Sequence, residues 1–314
     1  MNQTLQHTLR QSISFEGKGL HTGKYAHMEV CPAPEGAGIR FIRTDIGDDA
    51  VIEALAENVS STARSTTISS GDASVSTIEH LMSALTGLGV DNAEIRIDNA
   101  EVPILDGSAS PYVKAISACG TVEQDAVRKY ISIDKEIEVR DEKSGSFIRI
   151  SPSDKPSIDI TVDFGSKVLG VQSAHWDMDT DFATGIGPCR TFVFFHEIEF
   201  LAKNGLVKGG DMDNAIVIVE HPVTEAQIDA ICEALGFEKL AITDNGYLNN
   251  LVLHFPDECG RHKLLDIIGD LRLCGGWLNA KVTAFKPGHT LNTSAAAAVR
   301  KAIRERAAKQ ETKH

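Results

Sequence analysis

The chain has 314 residues, enough for about two domains of ~150 residues, each able to bury an ordinary core without disulfide or metal staples. Its 31 Lys and Arg against 44 Asp and Glu leave a formal charge of −13, which disfavours nucleic acid and anionic membranes as partners. With 42% apolar and 24% charged residues it reads as globular, and any anionic ligand has to find locally concentrated positive charge.

Thr8 to Phe15 and Ala26 to Pro32 read as extended segments separated by Gly-rich turns. Ser76-Thr77-Ile78-Glu79 has the form of a capping box, and Ile78, Met82, Leu85 and Leu88 follow at helical spacing with Gly87 and Gly89 as stops. A strand is expected at Ala93 to Ile97, a turn at Asp106-Gly107, and a helix at Ser110 to Ala118 with Pro111 in its first turn. The polar stretch Thr121 to Lys129 suits a domain boundary, dividing the chain into residues 1–125 and 126–314, with inserts in the second part at about 165–210 and 220–258. Beyond it, Tyr130 to Val139, Phe147 to Ile150 and Ile158 to Phe164 alternate like strands. His196 to Asn204 and Thr224 to Leu235 read as helices, the second with Gln227 completing a capping box, and Ala215 to Val219 is an apolar β-branched run. A helix from about Arg261 to Leu273, a strand from Lys281 to Phe285 and a basic Ala-rich helix from Ser294 to Lys309 close the chain.

The six cysteines (Cys31, Cys119, Cys189, Cys232, Cys259 and Cys274) form no Cys-x-x-Cys pair, which argues against a thiolate zinc site. There is neither a signal-type N-terminus nor an apolar run near the ~20 residues of a membrane span, so a reduced, cytoplasmic chain is expected. Walker and Gly-x-Gly-x-x-Gly patterns are missing, against a kinase or dinucleotide enzyme, and there is no His-Glu-x-x-His motif. What the halves do share is a histidine seven residues before a glycine on an apolar helix, His80 to Gly87 and His262 to Gly269. Each leads through an Asn-Ala pair into a strand. That weak repeat predicts two similar α+β units facing each other, with a site assembled between them.

His262 and Asp266 are four residues apart on one helical face, a spacing able to grip a metal ion and also common in solvated contacts. His80 on the paired helix would complete two imidazoles and a carboxylate with an open position, a recurrent catalytic zinc set. Glu79, about 100° around the helix from His80, suits a general base beside the ion, although its position at N3 of the Ser76 capping box by itself favours the cap. His289 is expected in a loop after the last strand, and Asp270 shares a face with Asp266, where it could orient an imidazole.

The motifs Ser-Thr-Ile-Glu79-His80-Leu, Leu-Asp106-Gly-Ser-Ala, Arg190-Thr191-Phe192, Gly209-Gly210-x-x-Asp213-Asn-Ala, Arg261-His262-Lys263-Leu-Leu-Asp266-Ile-Ile-Gly-Asp270 and Gly288-His289-x-Leu-Asn run in order from Gly19-Leu20-His21-Thr22-Gly23 to Asn292. Together they resemble the zinc-dependent UDP-3-O-acyl-N-acetylglucosamine deacetylases of lipid A and lipopolysaccharide biosynthesis. The resemblance implies an α+β fold of two similar domains, each a β-sheet with helices, the helices sandwiched between the sheets and the active site at the domain interface. It implies a metal-dependent amidohydrolase that removes the N-acetyl group of its substrate at the committed step of that pathway. His80, His262 and Asp266 would bind one Zn²⁺ per chain, with Fe²⁺ as the alternative for such a mixed set, and Glu79 would be the base. His289, supported by Asp270, would be the cationic acid, and Thr191 would bond the oxyanion.

The family's substrate contacts would fall to Lys263 and Phe192, with Phe164 stacking on uracil. Leu20, Ile198 and Val207, with Leu201 and Leu206, would line an acyl passage. After Phe164 the sequence reads Gly165-Ser166-Lys167 where the family usually has His-Pro. The additional residues between Val219 and Arg261 resemble members fused to a hydroxyacyl carrier-protein dehydratase, so a fused or separate dehydratase is an expected partner beside the acylated UDP-sugar. The competing reading is a catalytically silent protein of the same fold that binds acylated nucleotide sugar.

Overall fold

The computed structural model of the chain describes residues 4–198, 208–211, 214–235 and 240–311. Two five-stranded sheets organise it. In space the first runs Ile13–Lys18, Tyr25–Pro32, Ala93–Ile97, Ile39–Arg43, Val51–Glu53. The second runs Ile137–Asp141, Ser146–Pro152, Ala280–Phe285, Ser157–Asp163, Val171–Asp177. Numbered within each sheet, both have the order 1-2-5-3-4, and in both the single parallel pairing joins strands 5 and 3. A helix precedes the fifth strand and another follows it in each unit: Glu79–Gly87 and Ser110–Cys119 in the first, Glu258–Leu271 and His289–Glu311 in the second. The repeat glimpsed in two histidine-bearing helices is therefore a repeat of whole α+β units.

Alternation sets the strands. Ile158, Ile160 and Val162 are buried, as are Ala93, Ile95 and Ile97, while their neighbours face outward. The paired helices Glu79–Gly87 and Glu258–Leu271 pack on each other, and the second also lies against Ser157–Asp163 and Val171–Asp177. Both are buried nearly all round: from Glu258 to Leu271 only Arg261 and Lys263 escape full burial. One hydrophobic core runs through both units, from Phe41 and Leu85 to Leu264 and Val282. Among the described residues no helix is long and apolar enough to cross a membrane.

Several local expectations change. Ser76 does not cap the first of these helices. It is held in a bridge with Glu101, its Oγ donates to the Ala100 carbonyl at 3.1 Å, and Thr77 at φ 58° interrupts the chain before the helix opens at Glu79. The Thr224 box does form: the Thr224 N–H donates to Gln227 Oε1 at 2.9 Å and the Gln227 N–H returns a bond to Thr224 Oγ1. Thr121–Val127, within the polar stretch, is a strand paired with Leu5–Leu9. Tyr130 to Val139 divides into Tyr130–Ile131, which pairs with Trp277–Leu278, and Ile137–Asp141 of the second sheet. The final helix begins at His289, so that residue stands in a first turn rather than a loop. The His196 to Asn204 helix falls mostly outside the described residues.

Candidate functional site

A buried helix should be apolar, and Glu258–Leu271 breaks that rule at every fourth position: Glu258, His262, Asp266 and Asp270 are all buried, and each has a specific counterpart. Glu258 accepts hydrogen bonds from the Arg190 guanidinium and from the backbone N–H groups of Arg190 and His254. That fixes the segment leading into Thr191. One turn on, the His262 Nδ1–H donates to the Cys189 carbonyl at 3.1 Å, which leaves Nε2 as a free lone pair directed inward. Asp266 and Asp270 complete the polar row at the centre of the molecule.

The Asp266 Oδ1 lies 3.5 Å from His262 Nε2 and 3.7 Å from His80 Nε2. The two imidazoles, one from each unit, meet edge to face at 5.0 Å. All three residues are at most 5% exposed. Lys263 occupies the other carboxylate oxygen at 2.7 Å, yet Oδ1 is buried with no hydrogen-bonding partner. A buried carboxylate oxygen left so is costly unless a cation completes it. The spacing matches the ~3.4 Å edge of a tetrahedron with bonds of about 2.1 Å, so these residues fit a divalent ion of the Zn²⁺ class. Burial pushes the His80 imidazole down to about 3, keeping it neutral and able to ligate. Burial opposes ionisation of Asp266, but the adjacent His262 and Lys263 hold it well below the usual carboxylate range.

Glu79 opens the opposing helix and is 3% exposed. The Thr66 N–H donates to its Oε2 at 3.1 Å, and Oε1 lies 3.7 Å from His289 Nε2. Burial raises Glu79 to about 7, with the His289 charge pulling the other way. Burial would lower His289, but Asp270 and Glu79 outweigh it and bring it to about 9. Asp270 bonds His289 Nδ1 at 3.0 Å and accepts from Thr66 Oγ1 and Asn292 Nδ2 at 2.6 and 2.9 Å. One carboxyl group poised near neutrality thus faces one protonated imidazole, the pattern of an acid–base pair.

A cavity of about 150 Å³ opens onto these groups, lined also by Leu20, Thr191, Phe192 and Lys263. Phe164, 42% exposed, meets Phe192 and Phe194 edge to face at 5.4 and 5.8 Å beside it. Ile198 is half-buried and stands outside the cavity's lining, while Val207 lies outside the described residues, as do Leu201 and Leu206.

Residues that sequence reasoning did not single out also converge here. His21 lines the cavity with a buried, unpartnered Nε2, and Arg64 reaches it at φ 68° while pairing with Glu197 at 3.0 Å. Glu101, 1% exposed, accepts from the His21 and Thr22 N–H groups and the Thr77 hydroxyl, tying the 19–23 turn to the start of the Glu79 helix. The one sequence signal was the i, i+4 polar row, which extends to Glu258; Thr66 and Glu101 carry none.

The chain matches the profile of the family described as UDP-3-O-acyl N-acetylglycosamine deacetylase over residues 6–235 and 237–301. It is 44% identical over 300 residues to the "Bifunctional enzyme LpxC/FabZ" of Porphyromonas gingivalis, covering 96% of this chain and 65% of the relative. The protein of the same name from Bacteroides thetaiotaomicron is 42% identical, again with 65% of its length covered. The UDP-3-O-acyl-N-acetylglucosamine deacetylase of Cellvibrio japonicus is 40% identical over 294 residues, 92% of this chain and 88% of that protein. The chain thus spans about two thirds of the bifunctional relatives and most of the single-function one.

Proposed function

This chain belongs to the UDP-3-O-acyl N-acetylglycosamine deacetylase family, and from that premise we propose that it hydrolyses the N-acetyl amide of UDP-3-O-(3-hydroxyacyl)-N-acetylglucosamine to acetate and the free amine, in lipid A biosynthesis. The observation that carries the reading is the Asp266 Oδ1, buried without a hydrogen-bonding partner between two imidazole nitrogens. His80, His262 and Asp266 would hold one Zn²⁺ or Fe²⁺. Such an ion, when bound, polarises the amide carbonyl and lowers the pKa of water.

The chain's own groups supply the proton transfers. Glu79, pinned through Oε2 by the Thr66 N–H, offers Oε1 to take the proton of the attacking water. His289 is held protonated by Asp270 and directs Nε2 towards Glu79, where it can deliver a proton to the departing nitrogen and oppose the developing oxyanion. Thr191 would donate to the same oxyanion.

Arg64, Lys263 and His289 gather positive charge at the cavity of an otherwise acidic protein, which suits an anionic nucleotide sugar. Phe192 and Lys263, 5.4 Å over its ring, would hold the sugar, and Phe164 offers an exposed aromatic face for the uracil. Leu20, Ile198 and Val207 are proposed to flank the acyl chain. The test is acetate release from the acylated UDP-sugar by metal-loaded protein. Release abolished by a chelator, restored by Zn²⁺, and lost together with bound metal in H262A is expected. Substrate binding without release, with metal present, refutes the proposal in favour of a silent binding protein.

A further inference from the structure

Away from the catalytic cavity stands a second set of metal-ligating side chains. His196, Glu220 and His221 each offer a ligand atom within 4.8 Å of the others. Their juxtaposition follows from the short parallel ladder of Phe192–Phe194 and Ile216–Ile218, in which Phe194 stands opposite Ile218. Two residues beyond that pair, one segment presents His196 and the other Glu220, followed by His221. The His196 ring is seated, stacking on Phe194 at 5.7 Å with 24° between the planes, and the His221 ring lies 5.7 Å from it, tilted by 51°. Both histidines are exposed and Glu220 is half-buried. The backbone ladder thus brings soft and hard ligands together without any of the three being needed for a packed core.

We propose that His196, Glu220 and His221 form a surface site for a transition-metal ion of the Zn²⁺ class, separate from the catalytic set, that staples the ends of the Phe192–Phe194 and Ile216–Ile218 strands. Two imidazoles and one carboxylate suit Zn²⁺, Co²⁺ or Ni²⁺, whereas Mg²⁺ and Ca²⁺ prefer oxygen throughout. The catalytic ligands already sit 3.5 to 3.7 Å apart at buried positions. The surface trio, its ligand atoms within 4.8 Å of one another, is built on two exposed histidines and a half-buried glutamate, so binding must immobilise side chains that solvent leaves free, and it binds more weakly than the buried catalytic set. The staple acts on the strand that begins one residue after Thr191 and contributes Phe192 to the cavity wall. It stiffens that wall without touching the reacting atoms. Nothing in it depends on the reaction proposed above.

The experiment is a Zn²⁺ titration of chelator-stripped full chain against a chromophoric chelator, with the melting temperature followed alongside. The wild type should take up about two equivalents, one tight and one weaker, with the weaker raising Tm. H196A/H221A should keep only the tight one and its turnover, and H262A only the weaker one. A wild type that binds a single equivalent, or a weaker equivalent with its Tm increment that persists in H196A/H221A, overturns the proposal. Because the two variants remove different equivalents, failure of this site is distinguishable from failure of the catalytic assignment.

Discussion

A single methyl group at position 269 tests whether the two-helix crossing sets the metal geometry. A Cβ added to Gly269 would run into the carbonyl oxygen of Glu79 and lie 3.0 Å from its carbonyl carbon and 3.1 Å from the Ser83 nitrogen. These are backbone atoms of the opposing helix, so no side chain can step aside, and relief requires the helices to separate by on the order of 1 Å. His80 rides on one helix and Asp266, three residues before Gly269, on the other, with ligand atoms 3.7 Å apart. An ion bonded to each at about 2.1 Å spans at most about 4.2 Å. The substitution therefore carries the pair to or past the limit of a single ion. G269A should cost about 1 to 3 kcal/mol in urea unfolding of the metal-free protein. It should also lose about 100-fold in turnover at fixed metal, with less than stoichiometric zinc after gel filtration. Gly185→Ala, whose new methyl meets no heavy atom within 4 Å, is the control. A G269A protein with the wild-type unfolding midpoint and full metal content would refute the reasoning.

Three further substitutions probe the neighbouring groups. E79Q should retain metal while turnover falls by about 10² to 10⁴; wild-type turnover removes Glu79 from the mechanism. D270N takes away the charge that offsets burial at His289, so the imidazole should fall from about 9 to its ordinary ~6.5 or lower. At pH 8 the protonated fraction then drops roughly 30-fold, and the alkaline limb of the pH–rate profile should move to lower pH, whereas an unmoved limb contradicts the pairing. The sign for stability follows. With the folded value above the ordinary one, the charged ring contributes fully below about pH 6.5 and loses that contribution as pH rises through about 9, so D270N should flatten this window. E258A strands the buried Arg190 guanidinium and should cost about 3 to 5 kcal/mol by chemical denaturation; a loss below about 1 kcal/mol would show that the pair does not hold Thr191 in place.

Hydrophobic periodicity, turn residues and motif spacing are local, and they sufficed for most elements. Ala93–Ile97 and Ser110–Cys119 lie where their patterns put them, and the Thr224 box forms as its residues dictate. His262 and Asp266 were legible because helical spacing alone fixes which side chains share a face. The histidine-to-glycine repeat was a faint trace of duplicated units whose strand order no local pattern encodes, since each fifth strand inserts between strands laid down far earlier.

Ser76 to Glu79 illustrates the limit. The letters satisfy a capping box, but Ser76 is claimed by Ala100 and Glu79 by the Thr66 N–H, leaving its second oxygen towards His289. The acid–base pair likewise depends on Asp270 reaching Thr66 across 204 residues of chain and His289 across 19. The sequence determined which groups are available and which face of an element each occupies. Only the tertiary structure decided their protonation and pairing, because burial and the field of distant charges arise when the two units close on each other.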